Sequence, residues 1–599
     1  MSNIQHKDNT QLYILTTGQS IDSLIPFSSP ADEYRIAFED RAGLFLNYFS
    51  FTDDKIRKRM ITRGEFWDMA CSAAGYLKDK GFSKGDRCLH CFSSNSLYDL
   101  VFRLAAVLTG YVPVTINWQA DDDECIRYKA EITDAKLILC DDGFASRAKN
   151  IADSLAIPCI QADKVHEYQT DGNVVYPTLT YDDERMIIFT SGTTGRPKGA
   201  SLSHRSYLAN KLTFEQYFGI SGDIELDLLL VNPLHHTNSS ALSDWGMRHS
   251  GAIIHLLQHY TTAYWKILVD VVSEKRNMLV TSLVSRHIDF LESLSNKSKL
   301  PVKEGKLKEA LRQTDILIGS APVGPTTIKR ILKFSGRLPH VRFGSTETCL
   351  EVMATPRGLL QTGLLRAFEA GWSHRYKGEA MPGYYIGREH FPTTRVRVVK
   401  AVDPESKDYL RTCEIGEPGY LITQGPNIMS YYVGDKAATK AVFREGWYTG
   451  LRDIVFTLRN ENDGELDYYW MSRDSALLIR GGANYAYDQI AAELSQFVAE
   501  HFHIKPEQFQ LAVVGIRLES EHEDSCCVTI ELSKEAPYTA AAELRANFLT
   551  KAAAGVSKGA RPEHLRFGII PRSFKGAILY PQLKQDYADF LKSDRDGLK

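Results

Sequence analysis

The chain has 599 residues, with 71 Lys and Arg against 74 Asp and Glu and 43% hydrophobic residues, the composition of an ordinary globular protein. A net charge of −3 argues against a nucleic-acid partner, which calls for a basic stripe that neutralises several phosphates. No apolar run approaches the ~18–20 residues that cross a bilayer, and the N-terminal stretch lacks the basic-then-apolar pattern of a secretory signal, so no membrane span and a cytoplasmic location are expected.

In chain order, the first clear helix is predicted over Arg63–Lys80, where Phe66, Met69, Ala70, Ala73, Ala74 and Leu77 keep helical spacing and Gly81 sits at the C-terminal cap position. Cys88, His90 and Cys91 resemble metal ligands, but no second pair at zinc spacing follows, and alternate residues of a short strand face opposite ways. The ten cysteines are read as reduced thiols. Met186–Phe189, Leu228–Val231, Met278–Thr281, Ile316–Ile318 and Val341–Phe343 read as buried strands of a wound sheet with helices between them. His255 and His259 lack the Glu of a zinc-protease helix and are read as structural. After about Met471 the pattern changes to a Gly481-Gly482 turn, a helix over Asp488–Phe502 and strands near Leu511–Gly515 and Cys527–Leu532. The expected class is α/β: a large N-terminal portion of wound sheets, residues 1–472, and a smaller α+β domain, residues 473–599.

Four of the strands end in polar, Gly-containing loops: Thr190-Ser191-Gly192-Thr193-Thr194-Gly195, Asn232–Thr237, Gly319-Ser320-Ala321-Pro322 and Gly344-Ser345-Thr346-Glu347. Ligands of open α/β sheets bind at the carboxyl ends of strands, so these loops are expected to converge on one pocket. Phe189 to Gly199 packs three glycines, four hydroxyls and two cations behind an apolar strand. Glycines let backbone N–H groups approach phosphate oxygens, hydroxyls add donors, and Lys198 supplies positive charge. A Walker P-loop is ruled out on spacing, because Lys198 lies between Pro197 and Gly199 with no Ser or Thr after it.

These motifs resemble the adenylate-forming superfamily of acyl- and aryl-CoA synthetases, peptide-synthetase adenylation domains and firefly luciferase. The match extends to Gly81–Asp86, Gly110–Val114, Pro233-Leu234-His235-His236, Phe343–Glu347, Gly416–Gly419, Gly425–Met429 and Gly446–Gly450, in the family's order. The resemblance implies that a carboxylate attacks the α-phosphorus of Mg-ATP, giving an acyl-adenylate and pyrophosphate. The small domain then rotates, and a thiol, most simply CoA, displaces AMP. It implies that Ser191, Thr193, Thr194 and Lys198 hold the β- and γ-phosphates, with Thr190, Gly192 and Gly195 in the same loop. Thr346 reaches the α-phosphate, Glu347 binds Mg²⁺, and Asp453 and Arg473 contact the ribose. Ser320, Ala321, Gly344 and Ser345 border the nucleotide, His235, His236, Trp245 and Gly319 shape the acyl pocket, Ser475 is the hinge, and Gly481 and Gly482 line the thiol tunnel.

The sequence departs from the family's pattern at several points. Leu451 and Arg452 are inserted before Asp453, Ser475 stands where Asp or Lys is common, and Tyr487-Asp488-Gln489 replaces Pro-x-Glu. Near the C-terminus the family's catalytic lysine is replaced by Ala577, within Lys575-Gly576-Ala577. Three accounts stand side by side: Lys575 substitutes, the protein is catalytically weakened, or Ala577 is an engineered change. The primary expectation is an AMP-forming acid–thiol ligase using ATP, Mg²⁺ and CoA. The alternatives are an enzyme loading a carrier protein or an amine, and a nucleotide- or acyl-AMP-binding pseudoenzyme. The small residues from Gly319 to Ala321 suit a medium or aromatic acid more than acetate.

Overall fold

The helix Arg63–Asp79 begins at a capping box in which the Thr62 side chain accepts from the Glu65 backbone N–H and the Glu65 carboxylate accepts from Thr62, and Gly81 follows its end at φ 84°. The computed structural model describes residues 25, 27–52, 55–165, 177–190, 196–220, 224–274, 278–320, 323–473, 477–480, 483–518, 520–571, 578 and 580–596. The chain is α/β, with a large sheet-rich N-terminal region and a smaller C-terminal domain.

Two sheets dominate the large region. In the first, the parallel strands Cys159–Gln161, Leu137–Cys140, Arg87–Cys91 and Val112–Thr115 lead to Glu184–Thr190, which turns back antiparallel into Lys198–Ser203. Thr190 and Lys198 are register partners at the mouth of that hairpin. The lysine therefore opens a strand and not a helix, the opposite of a Walker loop. The second sheet runs parallel through Leu44–Thr52, Ala252–Leu257, Leu226–Leu230, Met278–Leu283, Thr314–Ile318 and His340–Phe343. It then continues antiparallel through Met353–Ala354, Tyr384–Glu389, Leu466–Arg473, Asp453–Arg459 and Gly419–Gln424. Leu226–Leu230, Ala252–Leu257 and Thr314–Ile318 are buried along their whole lengths, as parallel strands covered on both faces must be.

Several buried charges in this interior are paired. Arg185 and Arg248 meet Asp244 at 3.0 and 2.8 Å, and Arg248 also reaches Glu33 at 2.7 Å. Arg103 makes a second such knot, with Asp99 at 2.8 Å and the carbonyl of Leu234 at 2.8 Å, while Asp99 also holds His90 Nδ1 at 2.8 Å. His90 thus has a structural partner, between the buried Cys88 and Cys91. His255 lies between Asn47 and Asp227, at 3.2 and 2.8 Å.

The small domain has the hairpin Leu477–Arg480 with Ala483–Ala486, and a sheet of Phe509–Ile516, Ser525–Leu532 and His564–Phe567. The helices Tyr487–Phe502, Tyr538–Gly555 and Tyr580–Asp596 contribute to its core. Its loop 520–524 docks on the large region. Glu521 accepts from the backbone N–H and hydroxyl of Thr326, at 3.0 and 2.6 Å, Arg286 reaches Glu523 at 2.6 Å, and His522 lies 2.9 Å from Asp289. No described helix is long and apolar enough to cross a membrane.

Candidate active site

A cavity of about 920 Å³ opens where the carboxyl ends of the two sheets meet the small domain. Thr190 and Lys198, Asn232, Pro233, His236, Thr237 and Asn238, Ser320, and Gly344 to Glu347 all line it, so each of the four polar loops contributes to one space. Tyr485 and Tyr580 of the small domain add to the wall.

One corner gathers the groups expected to hold phosphates and a metal. The Glu347 carboxylate accepts from Tyr432 at 3.0 Å and from Thr190 at 3.5 Å, and Lys198 Nζ stands 5.3 Å over the Tyr432 ring. Thr237 donates to the Thr346 hydroxyl at 3.0 Å. The loop needs glycine at 344, because a Cβ there would lie 1.5 Å from the Leu350 carbonyl oxygen. Asn427 staples the same loop from beneath, donating to the carbonyls of Thr348 and Glu351 at 2.9 and 3.2 Å. That hydrogen bonding gives a physical reason for the Gly425–Met429 motif. A carboxylate among hydroxyls and a cation, facing open volume, suits a hard cation shared with phosphate oxygens.

The second corner holds Asp453. The inserted Leu451 and Arg452 are absorbed in a turn with Arg452 at φ 58°, after which Asp453 opens its strand directly opposite Arg473. Trp470 Nε1 donates to Asp453 Oδ1 at 2.7 Å, so an indole fixes the carboxylate on the cavity wall. Tyr432 and Trp470 were not among the predicted site residues. The only sequence sign of Tyr432 is its place just after the Gly425–Met429 motif, and Trp470 carries none.

On the acyl side the predicted residues separate. His236 lines the cavity, and burial pushes its pKa down to about 4, so its ring is neutral near pH 7. His235 is not on the wall and lies edge-on to Trp118 at 5.8 Å. Trp245 does not line the cavity: it is 1% exposed and stacked on Phe214, with ring centroids 5.1 Å apart. The helix Thr237–Arg248 that carries it is buried on every face, and Trp245 lies on the side packed against Phe214. Gly319 is not on the wall either, and it makes room for Arg342, since a Cβ there would stand 2.8 Å from the Arg342 carbonyl oxygen. Ser320 is on the wall, at φ 67°. Ser191, Gly192, Thr193, Thr194, Gly195, Ala321, Ser475, Gly481, Gly482, Lys575 and Ala577 lie outside the described residues.

Comparison with known proteins gives the family and the fold. The chain is 25% identical to 2-succinylbenzoate–CoA ligase of Bacillus velezensis over 443 residues, covering 73% of this chain and 78% of that protein. It is 25% identical to the mitochondrial medium-chain acyl-CoA ligase ACSF2 of Mus musculus over 591 residues, 91% of this chain and 84% of that one. Among solved structures, it resembles a double mutant of o-succinylbenzoate CoA synthetase from Bacillus subtilis bound with a product analogue, at TM-score 0.70, 18% identity and 93% and 98% coverage. It also resembles ATP-bound MatB from Rhodopseudomonas palustris, at TM-score 0.59, 22% identity and 94% and 99% coverage. The family model described as AMP-binding enzyme matches residues 38–433, a span that takes in Thr190, Lys198, Glu347 and Tyr432, and the chain belongs to that family.

Proposed function

We propose that the chain is an ATP-dependent, AMP-forming carboxylate ligase that makes an acyl-adenylate and passes the acyl group to CoA. The observation that carries this reading is the Glu347 carboxylate, held by Tyr432 and Thr190 on the wall of a cavity that also takes in Lys198, Thr346 and Asp453. In the first step the acid's carboxylate oxygen attacks the α-phosphorus and pyrophosphate leaves; in the second the thiol sulfur attacks the acyl carbonyl and AMP leaves. Glu347 would hold Mg²⁺, which neutralises phosphate charge when bound. Lys198 and the hydroxyls of its loop would steady the β- and γ-phosphates, Thr346 the α-phosphate, and Asp453 and Arg473 the ribose. Residues 1–472 and 473–599 would act as the fixed and rotating parts, with Ser475 as the hinge and Gly481 and Gly482 on the thiol path. CoA is supported by the relatives, which are named as CoA ligases. A cytoplasmic site of action belongs to the same proposal.

Ala577 favours a second reading, a nucleotide- or acyl-AMP-binding protein with little turnover. The deciding measurement is mass-spectrometric detection of AMP and acyl-CoA from Mg-ATP, CoA and a carboxylate library, run beside Ala577→Lys. Acyl-CoA from the chain as it stands supports the ligase and names its acid. Product only from the lysine variant marks a disabled ligase, and AMP from neither favours the binding protein.

A further inference from the structure

Arg517 follows the strand Phe509–Ile516 of the small domain and lies over two aromatic rings of the large region. Its guanidinium carbon stands 5.2 Å from the ring centroid of Tyr384 and 5.2 Å from that of Trp470, and Nη1 donates to the Tyr384 hydroxyl at 3.0 Å. Tyr384 and Trp470 are register partners on neighbouring antiparallel strands, and both line the cavity. Asp524 Oδ1 stands 3.8 Å from Arg517 Nε, beyond hydrogen-bonding distance, while its Oδ2 accepts from the backbone N–H of Ile479 at 2.9 Å. Asp524 therefore offsets the charge of Arg517 and leaves the guanidinium on the rings.

Trp470 carries this contact to the nucleotide corner. It is 7% exposed, and its Nε1 donates to Asp453 Oδ1 at 2.7 Å. A cation over the face of an indole draws π-electron density toward itself, and the N–H at the ring's edge becomes the stronger donor. The charge on Arg517 and the bond that orients Asp453 thus reinforce each other across the domain boundary, through one ring. The Arg517 side chain is only 24% exposed, so solvent and salt screen the attraction less than on an open surface.

We propose that Arg517 is a positioning residue of the nucleotide site, supplied by the small domain: stacked on Trp470, it strengthens the indole hydrogen bond that aims the Asp453 carboxylate at the ribose hydroxyls. The inference rests on the reading of Asp453 as a ribose contact. The grip on the ribose then depends on where the small domain stands, because a domain turned away takes its cation off the indole.

The test measures binding of AMP and of 2′,3′-dideoxy-AMP, which lacks both ribose hydroxyls, to the full chain by isothermal titration calorimetry. AMP is expected to bind the wild type more tightly than the dideoxy nucleotide. Arg517→Met keeps an apolar stem over the rings and removes the charge. It is expected to weaken AMP by roughly three- to tenfold and to leave the dideoxy nucleotide unchanged. Arg517→Lys keeps a cation and should restore part of the loss, with the fold of both variants checked by thermal melting. In a Trp470→Phe background the N–H is gone, and Arg517→Met should then cost AMP nothing more. No loss of AMP affinity in Arg517→Met, or an equal loss for both nucleotides, overturns the inference and leaves the ribose reading standing. An undiminished loss in the Trp470→Phe background also overturns it, since the effect then bypasses the indole. Equal binding of the two nucleotides by the wild type, or no binding of AMP, overturns the ribose reading and the inference together.

Discussion

Trp470 and Asp453 face each other across two antiparallel strands, and the indole N–H holds the carboxylate at 2.7 Å. Asp453 is fully buried as a residue yet contributes to the cavity wall, and that bond helps to orient it. Replacing Trp470 by Phe keeps most of the packing and removes the donor, at a cost of ~1.5–3 kcal/mol for a bond to a charged group. The expected outcome is a KM for ATP raised roughly tenfold with kcat changed less, measured by steady-state kinetics. An unchanged KM for ATP would remove Asp453 from the nucleotide site.

In the proposed ligase, Glu347 would hold Mg²⁺. Glu347→Gln keeps the shape and an acceptor for Tyr432 but lowers the negative charge. Adenylation, followed as ATP–pyrophosphate exchange, is expected to fall by ~10²–10³-fold, with partial recovery at high Mg²⁺. Tyr432→Phe should cost less, because Thr190 still donates to Glu347.

The Asp99–Arg103–His90 knot bears on stability, and Arg103 also holds the carbonyl of Leu234. Burial alone would raise the pKa of Asp99, but Arg103 and His90 overcome it and hold the carboxyl down to about 2. A carboxyl whose folded pKa lies below its unfolded value of ~3.9 stabilises fully above that value, and the contribution is lost as pH falls toward 2. Asp99→Asn is therefore expected to destabilise the protein by ~3–5 kcal/mol near neutral pH, by stranding Arg103. It should also flatten the fall in Tm between about pH 4 and pH 2, a range calorimetry can follow.

The loop carrying Glu521, His522 and Glu523 fixes the small domain against Thr326, Asp289 and Arg286. Glu521→Ala removes two hydrogen bonds from a carboxylate, each worth ~1.5–3 kcal/mol. The domains are expected to separate more often, seen as several-fold faster limited proteolysis between residues 473 and 477 at an unchanged Tm of the large region. Equal cleavage rates would show that the contact does not hold the domain.

Much of the site was legible in the sequence because its chemistry is local. Gly344 must be glycine where the backbone meets Leu350, and Thr190 and Lys198 are strand partners eight positions apart, so the motif and the geometry are nearly the same statement. The α/β class was legible for a similar reason, since runs such as Leu226–Leu230 are buried on both faces and show it in their composition. Trp245 shows the opposite: its neighbourhood in sequence suggested the pocket, but the turn of its helix directs it to Phe214 in the core.

Sequence alone determined the family's motifs and the class of fold, because each rests on residues a few positions apart. Only the tertiary structure decided which carboxylates and cations meet. Glu347 joins Tyr432 across 85 positions, and Arg342 reaches Ser282 across 60. Such pairings depend on strand order and on the absence of a side chain at Gly319, and neither leaves a periodic trace in the chain.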